Sequence, residues 1–340
     1  MTYFPAYTCR GHQRGIALLG ILLMLTLLIA LAHEITLSFR SQLVRTQSLQ
    51  QKDQARWYAL AGESLAIKTL VQSFEDEPDV SHLGQYWATD NASFPLEGGQ
   101  VSGSIKDAQS CFNINALAKA VESDDKQQEQ MEQQKHSEGV VFTALLENLD
   151  IPEWESEQIT MSTSNWVSTK DVNEGENDDY YLALPLPYLT GKTLMRDISE
   201  WRAVAGVSKA VANKVMPYLC ALPVTKLSVN VNTIPDDQPE LLAALFTNSL
   251  SVDEALSILE ERPDNGWESM AEFYSQSLLS GLSSTAIDKH LTIVSNYFEM
   301  SATASFGTSE AGLKSLLARA KAKSSKKNQL TVIRRKFGGV

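Results

Sequence analysis

The N-terminal part of the sequence contains one long apolar segment with basic residues in front of it. Arg10, His12 and Arg14 precede an uninterrupted apolar run from Ile16 to Ala32. As a helix with a rise of about 1.5 Å per residue, this run spans roughly 25 Å, close to the hydrocarbon thickness of a bilayer. The basic side is expected to stay in the cytoplasm. The pattern predicts a single-pass membrane helix.

The same helix is predicted to continue beyond the membrane. No Gly or Pro occurs from Ile21 to Ala61, so nothing in this stretch breaks a helix, and Glu75 to Glu77 with Pro78 end it. From Ile16 to Phe74 it would be roughly 90 Å long, half in lipid and half forming the spine of a head domain. The spine is expected to pack through a stripe with spacings of three and four residues. This stripe consists of Trp57, Leu60, Ser64, Ile67, Val71 and Phe74.

Strand-like alternation appears at both ends of the remaining sequence. Val101, Gly103 and Ile105 alternate with polar residues, and Gly98-Gly99 predicts a turn. The sequence between the strand regions reads as almost wholly helical. The predicted strand regions are Phe94 to Asn115, Leu291 to Phe306 and Leu330 to Phe337.

The composition limits the classes of function. With 340 residues and 43% hydrophobic composition the chain can build more than one structural unit. A net charge of -12 argues against nucleic-acid binding by the whole protein, because phosphate binding depends on clustered cations. The stretch from Lys314 to Lys336 is locally basic, with no acid, and Lys323 to Lys327 is predicted to be a hairpin loop. It is either a solvated loop tip or a contact for anionic lipid or an acidic partner.

Three cysteines leave one question open. Cys9 precedes the apolar run, in a part predicted to be removed, which leaves Cys111 and Cys220. In an oxidising compartment these two can form a disulfide, which would stabilise the fold by roughly 4 to 5 kcal/mol in the chain-entropy model. Two buried free thiols are the alternative.

The N-terminus resembles the type IV pilins and pseudopilins, whose leaders end in Gly and are cut by a prepilin peptidase. Gln13-Arg14-Gly15 followed by Ile16-Ala17-Leu18-Leu19 matches this pattern, which implies cleavage after Gly15 and a methylated amine on Ile16. Most members carry Glu at the fifth mature position, which here is Gly20. The competing interpretation is an ordinary signal peptide cut after Ala30-Leu31-Ala32, which would release a soluble protein.

The absence of that Glu, together with several internal segments, makes the chain similar to the general secretion pathway K family of minor pseudopilins. The resemblance implies an α+β fold with a transmembrane and spine helix, a small pilin-like antiparallel sheet and a large all-helical inserted domain. The implied units are residues 1–15 (leader), 16–77 (helix), 78–115 and 291–340 (two parts of the sheet domain) and 116–290 (insertion). The matching segments are Ser110 to Asn115, Asn165 to Ser168, Gly175 to Tyr181, Ser199 to Gly206, Tyr218 to Pro223 and Val229 to Thr233.

The same resemblance implies a function and partners. The chain is expected to be anchored in the inner membrane with a periplasmic head, at the tip of a type II secretion pseudopilus. There it would nucleate assembly and limit elongation together with the minor pseudopilins I and J. Other pseudopilins, the prepilin peptidase and secreted cargo are further expected partners. A subunit with nothing above it has no neighbouring amine for a fifth-position carboxylate to neutralise, in agreement with Gly20.

An acidic loop is the candidate cation site. Carboxylates and amides cluster around Gly175, and calcium binds six to eight such oxygens in flexible loops. K family members carry calcium in this region, although Asn165 and Ser168 stand where the family has carboxylates. A solvated acidic loop is the alternative. The candidate ligands are Asp171, Glu174, Glu176, Asn177, Asp178 and Asp179.

Two other classes of function are weighed against this hypothesis. Ile198 to Leu219 and Val229 to Phe246 look like helix-hairpin-helix units, which gives the alternative of a membrane-tethered, competence-type DNA-binding protein. Asp236, Asp237 and Glu240 beside the second hairpin argue against phosphate binding. An enzyme is not expected, because the five His residues lack metal-ligand spacing and no nucleophile motif occurs.

Overall fold

The computed structural model describes residues 14–89, 91–118, 138–168, 178–247, 249–282, 285–321 and 328–338. Helix α1, Arg14–Asp76, is continuous over 63 residues. Its residues 16–50 are exposed along their whole length. Among the described helices, this one is long and apolar enough to cross a membrane, judged by length and composition. The predicted uninterrupted helix is therefore found.

Five strands form one antiparallel sheet in the order β1-β2-β7-β8-β9. The predicted strand regions at 94–115, 291–306 and 330–337 all contain strands, but the sequence interpretation missed β8, which lies at 309–321. The loop 322–327 that joins β8 to β9 lies outside the described residues, and the antiparallel pairing of Lys321 with Asn328 makes the two strands a hairpin. The five strands are β1 Ala92–Leu96, β2 Gly99–Asp107, β7 Tyr297–Phe306, β8 Ser309–Lys321 and β9 Asn328–Phe337.

Helix α1 packs on this sheet through small side chains. Gly62 comes so close that a β-carbon on it would lie 3.0 Å from Cγ2 of Val101 and 3.5 Å from Cβ of Ala302. The predicted stripe is confirmed only in part, because Phe74 is buried and Leu60 and Ile67 pack against the sheet, whereas Ser64 is exposed and Trp57 is 66% exposed. The prediction followed the face of the helix that carries large apolar side chains. The close approach of the helix to the sheet instead favours small side chains at the contact. The buried positions are Ala55, Ala59, Glu63, Ala66, Leu70 and Phe74.

The sequence between β2 and β7 contributes a second core, larger than the one under the spine. Its buried members include Phe142, Trp201, Leu242 and Trp267. The spine and sheet have their own cluster, which contains Leu70, Phe74 and Phe298 and shares no buried residue with the first. The helices are α2 (138–148 as described), α3 Glu153–Val167, α4 Asp179–Leu182, α5 Lys209–Val215, α6 Pro239–Leu245, α7 Val252–Glu260, α8 Met270–Tyr274 and α9 Thr285–Asp288.

Two short parallel pairs of strands lie beside these helices. Strand β3, Phe112–Asn113, pairs with β4, Leu219–Cys220, and strand β5, Val229–Asn230, pairs with β6, Leu291–Thr292. Each pair joins a segment next to the main sheet to a segment inside the helical region. The architecture is thus the predicted α+β arrangement of a spine helix, an antiparallel sheet and a helical insertion, with two parallel pairs that the sequence did not indicate.

Candidate functional sites

The predicted cleavage site lies in the first turn of helix α1. Gly15 and Ile16 are both helical, and Ile16 is 75% exposed. The peptide bond between them lies at the N-terminal end of α1, away from the sheet and the insertion. The leader before Arg14 lies outside the described residues. Gly20 has no atom within 4 Å of the position a β-carbon would take, so the fifth position faces open space.

The structure describes two of the six candidate calcium ligands. Oδ1 of Asp178 accepts hydrogen bonds from the hydroxyl (2.8 Å) and backbone N–H (3.3 Å) of Thr190, and its Oδ2 lies 3.1 Å from Nζ of Lys192. The bond from Thr190 and the pairing with Lys192 lower the pKa of Asp178. Asp179 is exposed in the first turn of α4. The other candidates, Asp171, Glu174, Glu176 and Asn177, lie outside the described residues.

The donors of this loop are of the kind that calcium selects, but its described part holds no preformed cluster. No group of three or more His, Cys, Asp or Glu side chains suited to a metal occurs among the described residues. Asp178 already has a cation beside it in Lys192. A bound calcium would therefore compete with that ammonium group for the carboxylate.

Cys111 and Cys220 are bonded in the structure, with their Cα atoms 5.8 Å apart. The bridge lies next to the β3–β4 pair and links residues separated by 109 positions. It ties the end of the sheet segment to the middle of the helical insertion. On the same connection, Asn115 donates from Nδ2 to the carbonyls of Met195 (2.9 Å) and Leu222 (2.8 Å).

A buried polar cluster around Asp107, which the sequence interpretation did not find, joins the sheet to the insertion. Oδ1 of Asp107, at the end of β2, accepts a bond from the backbone N–H of Gln109 at 2.8 Å. Its Oδ2 accepts bonds from Nδ2 of Asn230 at 3.1 Å, from the hydroxyl of Thr233 at 2.6 Å and from the hydroxyl of Ser295. Burial raises the pKa of the Asp107 carboxyl, and these four hydrogen bonds act in the opposite direction.

Asn230 is the centre of this cluster on the insertion side. Its Nδ2 also donates to the carbonyl of Ser81, just after the spine helix, at 3.0 Å, and to Oγ of Ser295 at 2.8 Å. Its Oδ1 accepts from the backbone N–H of Asn232 at 3.0 Å. One amide thus contacts the segment after the spine, the sheet, the insertion and the strand that returns from it.

These contacts correct the hairpin interpretation of Val229 to Phe246. The residues read as a phosphate-binding hairpin begin with a strand, and Asn230, Asn232 and Thr233 are buried. Nδ2 of Asn232 donates to the carbonyl of Trp267 at 3.0 Å. The backbone amides of residues 229–233 donate to groups within the protein, so this segment is a junction between the two units and the DNA-binding interpretation is not favoured.

The first hairpin is present as a turn between two short helical segments. A 3-10 helix covers Ile198–Ala203, Gly206 takes a φ of +86° and α5 follows with Ser208 as its N-cap. Trp201 is fully buried and donates from Nε1 to Thr163 at 3.0 Å. Its lysine at the end of α5, Lys214, pairs with Asp150 at 2.9 Å. The apolar side chains of the two segments pack in the core of the insertion, whereas Gly206, Ser208 and Lys209 at the turn are exposed.

A second buried carboxylate joins the spine to the edge of the sheet. Glu63, whose side chain is 4% exposed, accepts bonds from Nε (2.8 Å) and Nη2 (2.7 Å) of Arg335 in β9 and from Oγ of Ser315 (2.5 Å) in β8. Burial alone would raise the pKa of Glu63, but the bonds from Arg335 and Ser315 outweigh it and lower that pKa. The sequence did contain a signal for this contact, because Glu63 is a charged residue between the small residues Ala59 and Ala66 of the spine.

Comparison with known proteins gives consistent matches. Residues 110–224 and 229–293 each match a family model described as "Type II secretion system (T2SS), protein K". The chain is 37% identical to type II secretion system protein K of Aeromonas hydrophila, over 98% of this chain and 99% of the relative. It is 33% identical to the protein of that name from Pectobacterium carotovorum subsp. carotovorum, over 97% and 98%.

A solved structure has the same fold. The crystal structure of the GspK-GspI-GspJ complex from the type 2 secretion system of enterotoxigenic Escherichia coli contains a chain that superposes with a TM-score of 0.73 at 31% identity. The match covers 87% of this chain and 100% of that chain.

The Asp107 cluster generates a test. Asn230→Asp removes the amide that donates to Asp107 and places a second carboxylate beside it, both buried. We expect the full-length protein in nonionic detergent to lose about 3 kcal/mol or more of unfolding free energy, measured from its urea midpoint. The loss should grow as the pH rises above about 4, because the folded state then retains a proton that the unfolded state releases.

The matched control is Asn265→Asp, the same change at an exposed position. The combined variant Asp107→Asn with Asn230→Asp restores one carboxylate and one amide, and should recover part of the stability. Equal midpoints for Asn230→Asp and Asn265→Asp would show that the cluster does not hold the two units together.

Proposed function

Because this chain belongs to the type II secretion system protein K family, we propose that it is a minor pseudopilin at the tip of the pseudopilus. In this role it nucleates assembly and limits elongation during protein export across the outer membrane. We further propose that the role is structural and involves no catalysis. The observation that carries the proposal is the combination of a membrane-length spine with a bulky helical insertion on its sheet.

The shape of the molecule supports a terminal position. In the first half of α1 the residues before Gln51 are exposed and free to pack among neighbouring spines, whereas the second half is covered by the sheet. The insertion adds eight helices, as far as the described residues show, to one end of a five-stranded sheet. Mass of that size beside the spine obstructs the stacking of a further subunit, so growth beyond this subunit is blocked.

The proposed location is the inner membrane, with the head in the periplasm. The apolar segment of α1 anchors the chain, and the bonded Cys111–Cys220 pair suits an oxidising compartment. We keep the proposed units at residues 78–115 and 291–340 for the sheet domain and 116–290 for the insertion. The junctions at Asp107 and at Cys111 both lie close to the first of these boundaries.

The proposed direct partners are the minor pseudopilins I and J of the same system. The similar structure from Escherichia coli is that of a GspK-GspI-GspJ complex, which supports an equivalent complex here. Other pseudopilins, the prepilin peptidase and secreted cargo complete the proposed set of partners.

Assembly gives the decisive test of this function. Full-length protein produced together with the I and J pseudopilins of its own host should purify with both in detergent. In that host, its deletion should abolish secretion and lengthen the pseudopili formed when the major pseudopilin is overproduced. Copurification with J alone, or normal pseudopilus length and secretion after deletion, would contradict the proposal. A deletion mutant that carries the gene on a plasmid is the control.

Processing gives a separate test. We propose cleavage after Gly15 and methylation of Ile16, so intact mass and terminal sequencing of the protein from its host should give a start at methylated Ile16. Gly15→Asp should leave an uncut precursor and block secretion, because the peptidase requires the small residue before the cut. A start at His33, or normal processing of Gly15→Asp, would show that a signal peptidase releases a soluble head instead.

We also propose that the acidic loop 171–179 binds calcium. Carboxylate and amide oxygens of Asp171, Glu174, Glu176, Asn177 and Asp179 are the proposed ligands, and Asp178 joins them when Lys192 withdraws. Calcium would supply positive charge that neutralises mutual repulsion in the loop and fixes its path.

Isothermal titration calorimetry of the full-length protein with calcium chloride tests this site. Wild type should bind calcium, and Lys192→Gln should bind it up to about fivefold more tightly, since an exposed ion pair contributes about 0.2 to 1 kcal/mol. Lys209→Gln, which removes an exposed lysine of the same unit, should not change the affinity. Absence of binding heat in wild type, with no change in melting temperature on adding a chelator, would exclude the site.

A further inference from the structure

The cleft between the far edge of the main sheet and the insertion has an unusual charge pattern. It has a volume of about 260 Å³, and its walls come from Ala108 and strands β7, β8 and β9 on one side and from residues 197–198 and 219–222 of the insertion on the other. Three cations of the sheet, Lys314, Arg334 and Lys336, line it. The carboxylates that line it are Asp197 and Glu299.

The register of the strands places the three cations on the same face. Lys314 pairs directly with Lys336, and Arg334 pairs with Leu316. Leu316 packs against Leu222 and therefore faces the insertion. Arg335 and Ser315, at the intervening positions, point to Glu63 on the opposite face. Side chains alternate along a strand, so the three cations all face the cleft.

Only one of these cations has a counter-ion within the described part of the chain. Nζ of Lys336 lies 2.9 Å from Oδ2 of Asp197, which is the N-cap residue of the 3-10 helix at 198–203. Burial alone would raise the pKa of Asp197, but the bonds from Lys336 and Ser199 keep that pKa far below its ordinary value. Lys314 and Arg334 are in no ion pair of the described residues, and neither is Glu299.

Two like charges directly opposite each other on a sheet destabilise it. Lys314 and Lys336 form such a pair in a protein whose overall charge is -12. Arg334 lies diagonal to Lys314 and two residues before Lys336 on the same strand. These three cations do not hold the edge strand to the spine, because that ion pair is made on the other face by Arg335, which is about half exposed, with the buried Glu63. An anion in the cleft would remove the repulsion.

We infer that this cleft is the binding site for an acidic, extended segment of a partner protein, whose carboxylates pair with Lys314 and Arg334. Diagonal positions on neighbouring strands are about 7 to 8 Å apart. Carboxylates at every second residue of an extended chain repeat at about the same distance. The volume of the cleft is below that of pockets that enclose whole small ligands, about 300 to 1,000 Å³, and suits a few side chains of such a segment.

The position of the cleft distinguishes a protein partner from lipid. Ser315, next to Lys314, bonds to Glu63 of the spine, and Glu63 lies 31 residues after Ala32, the last residue of the apolar run (63 minus 32). At 1.5 Å per residue this places the cations roughly 45 Å along the helix from the membrane. Attraction to anionic lipid falls off within a Debye length of about 8 Å, so the headgroups of the host membrane do not reach the cleft.

The proposal goes beyond the tip role and does not depend on it. The test uses full-length protein in nonionic detergent and a fluorescent hexapeptide of alternating Thr and Glu. Binding of the peptide is measured by fluorescence anisotropy. Wild type should bind this peptide, and the same peptide with Gln in place of Glu should not bind. Lys314→Gln with Arg334→Gln should weaken binding at least tenfold.

The matched control is Arg45→Gln with Lys68→Gln, which removes the same two kinds of charge from exposed positions on the spine and should change binding less than twofold. Asp197→Asn frees Lys336 and should tighten binding, whereas Asp264→Asn, the same change at an exposed site, should not.

Four outcomes would overturn the inference. The first is that wild type does not bind the peptide, and the second is that the cleft and control variants weaken binding equally. The third is that glycerol phosphate at equal concentration displaces the peptide. The fourth is that a second copy of the chain occupies the cleft. The third would assign the cleft to phosphate groups. The last would appear as dimers in light scattering that the cleft variants abolish.

Discussion

The close approach of helix α1 to the sheet is the constraint on which the rest of the molecule depends. A β-carbon at Gly62 would lie 3.0 Å from Val101, and the neighbouring contact positions Ala59 and Ala66 are almost as small. A helix held this near to a sheet fixes the strand positions beneath it, and a single charged residue in the stripe, Glu63, can then reach both β8 and β9. The edge strand is therefore held by the ion pair of Arg335 with the buried Glu63 as well as by its hydrogen bonds to β8.

The elements that depend on local sequence could be predicted. The absence of helix breakers from Ile21 to Ala61 was enough to predict one helix from the membrane into the head, and alternation around Val101 was enough for β2. The packing face of the spine was predicted only in part: Phe74 is buried as expected, but hydropathy also favoured large side chains such as Trp57, which is exposed. The contact with a sheet instead selected small ones, and that preference depends on a neighbour far away in the sequence.

Other features required tertiary information. Strand β8 carries Lys314, Arg319 and several small residues, so it lacks the apolar alternation of a central strand. Its burial comes from strands on both sides and from the spine above it. Asn230 and Asn232 were read as part of a hairpin because their sequence neighbours suit a turn, yet their side-chain NH2 groups donate to residues 35 to 149 positions away. The composition of the acidic loop was enough to suggest a cation site. The pairing of Asp178 with Lys192 could not be predicted, because it depends on the chain returning to Asp178 at Thr190.

The junction between the two units is mainly polar and covalent. The apolar cluster between them contains only Ala108, Leu222 and Leu316 as buried members among the described residues. Beside it are the Asp107 cluster, the Cys111–Cys220 bond and the pair of Lys336 with Asp197. Apolar surfaces tolerate sliding because their attraction is not directional, whereas hydrogen bonds and a disulfide fix distances and angles. These directional contacts hold the insertion in one orientation on the sheet, with the cleft between the two units.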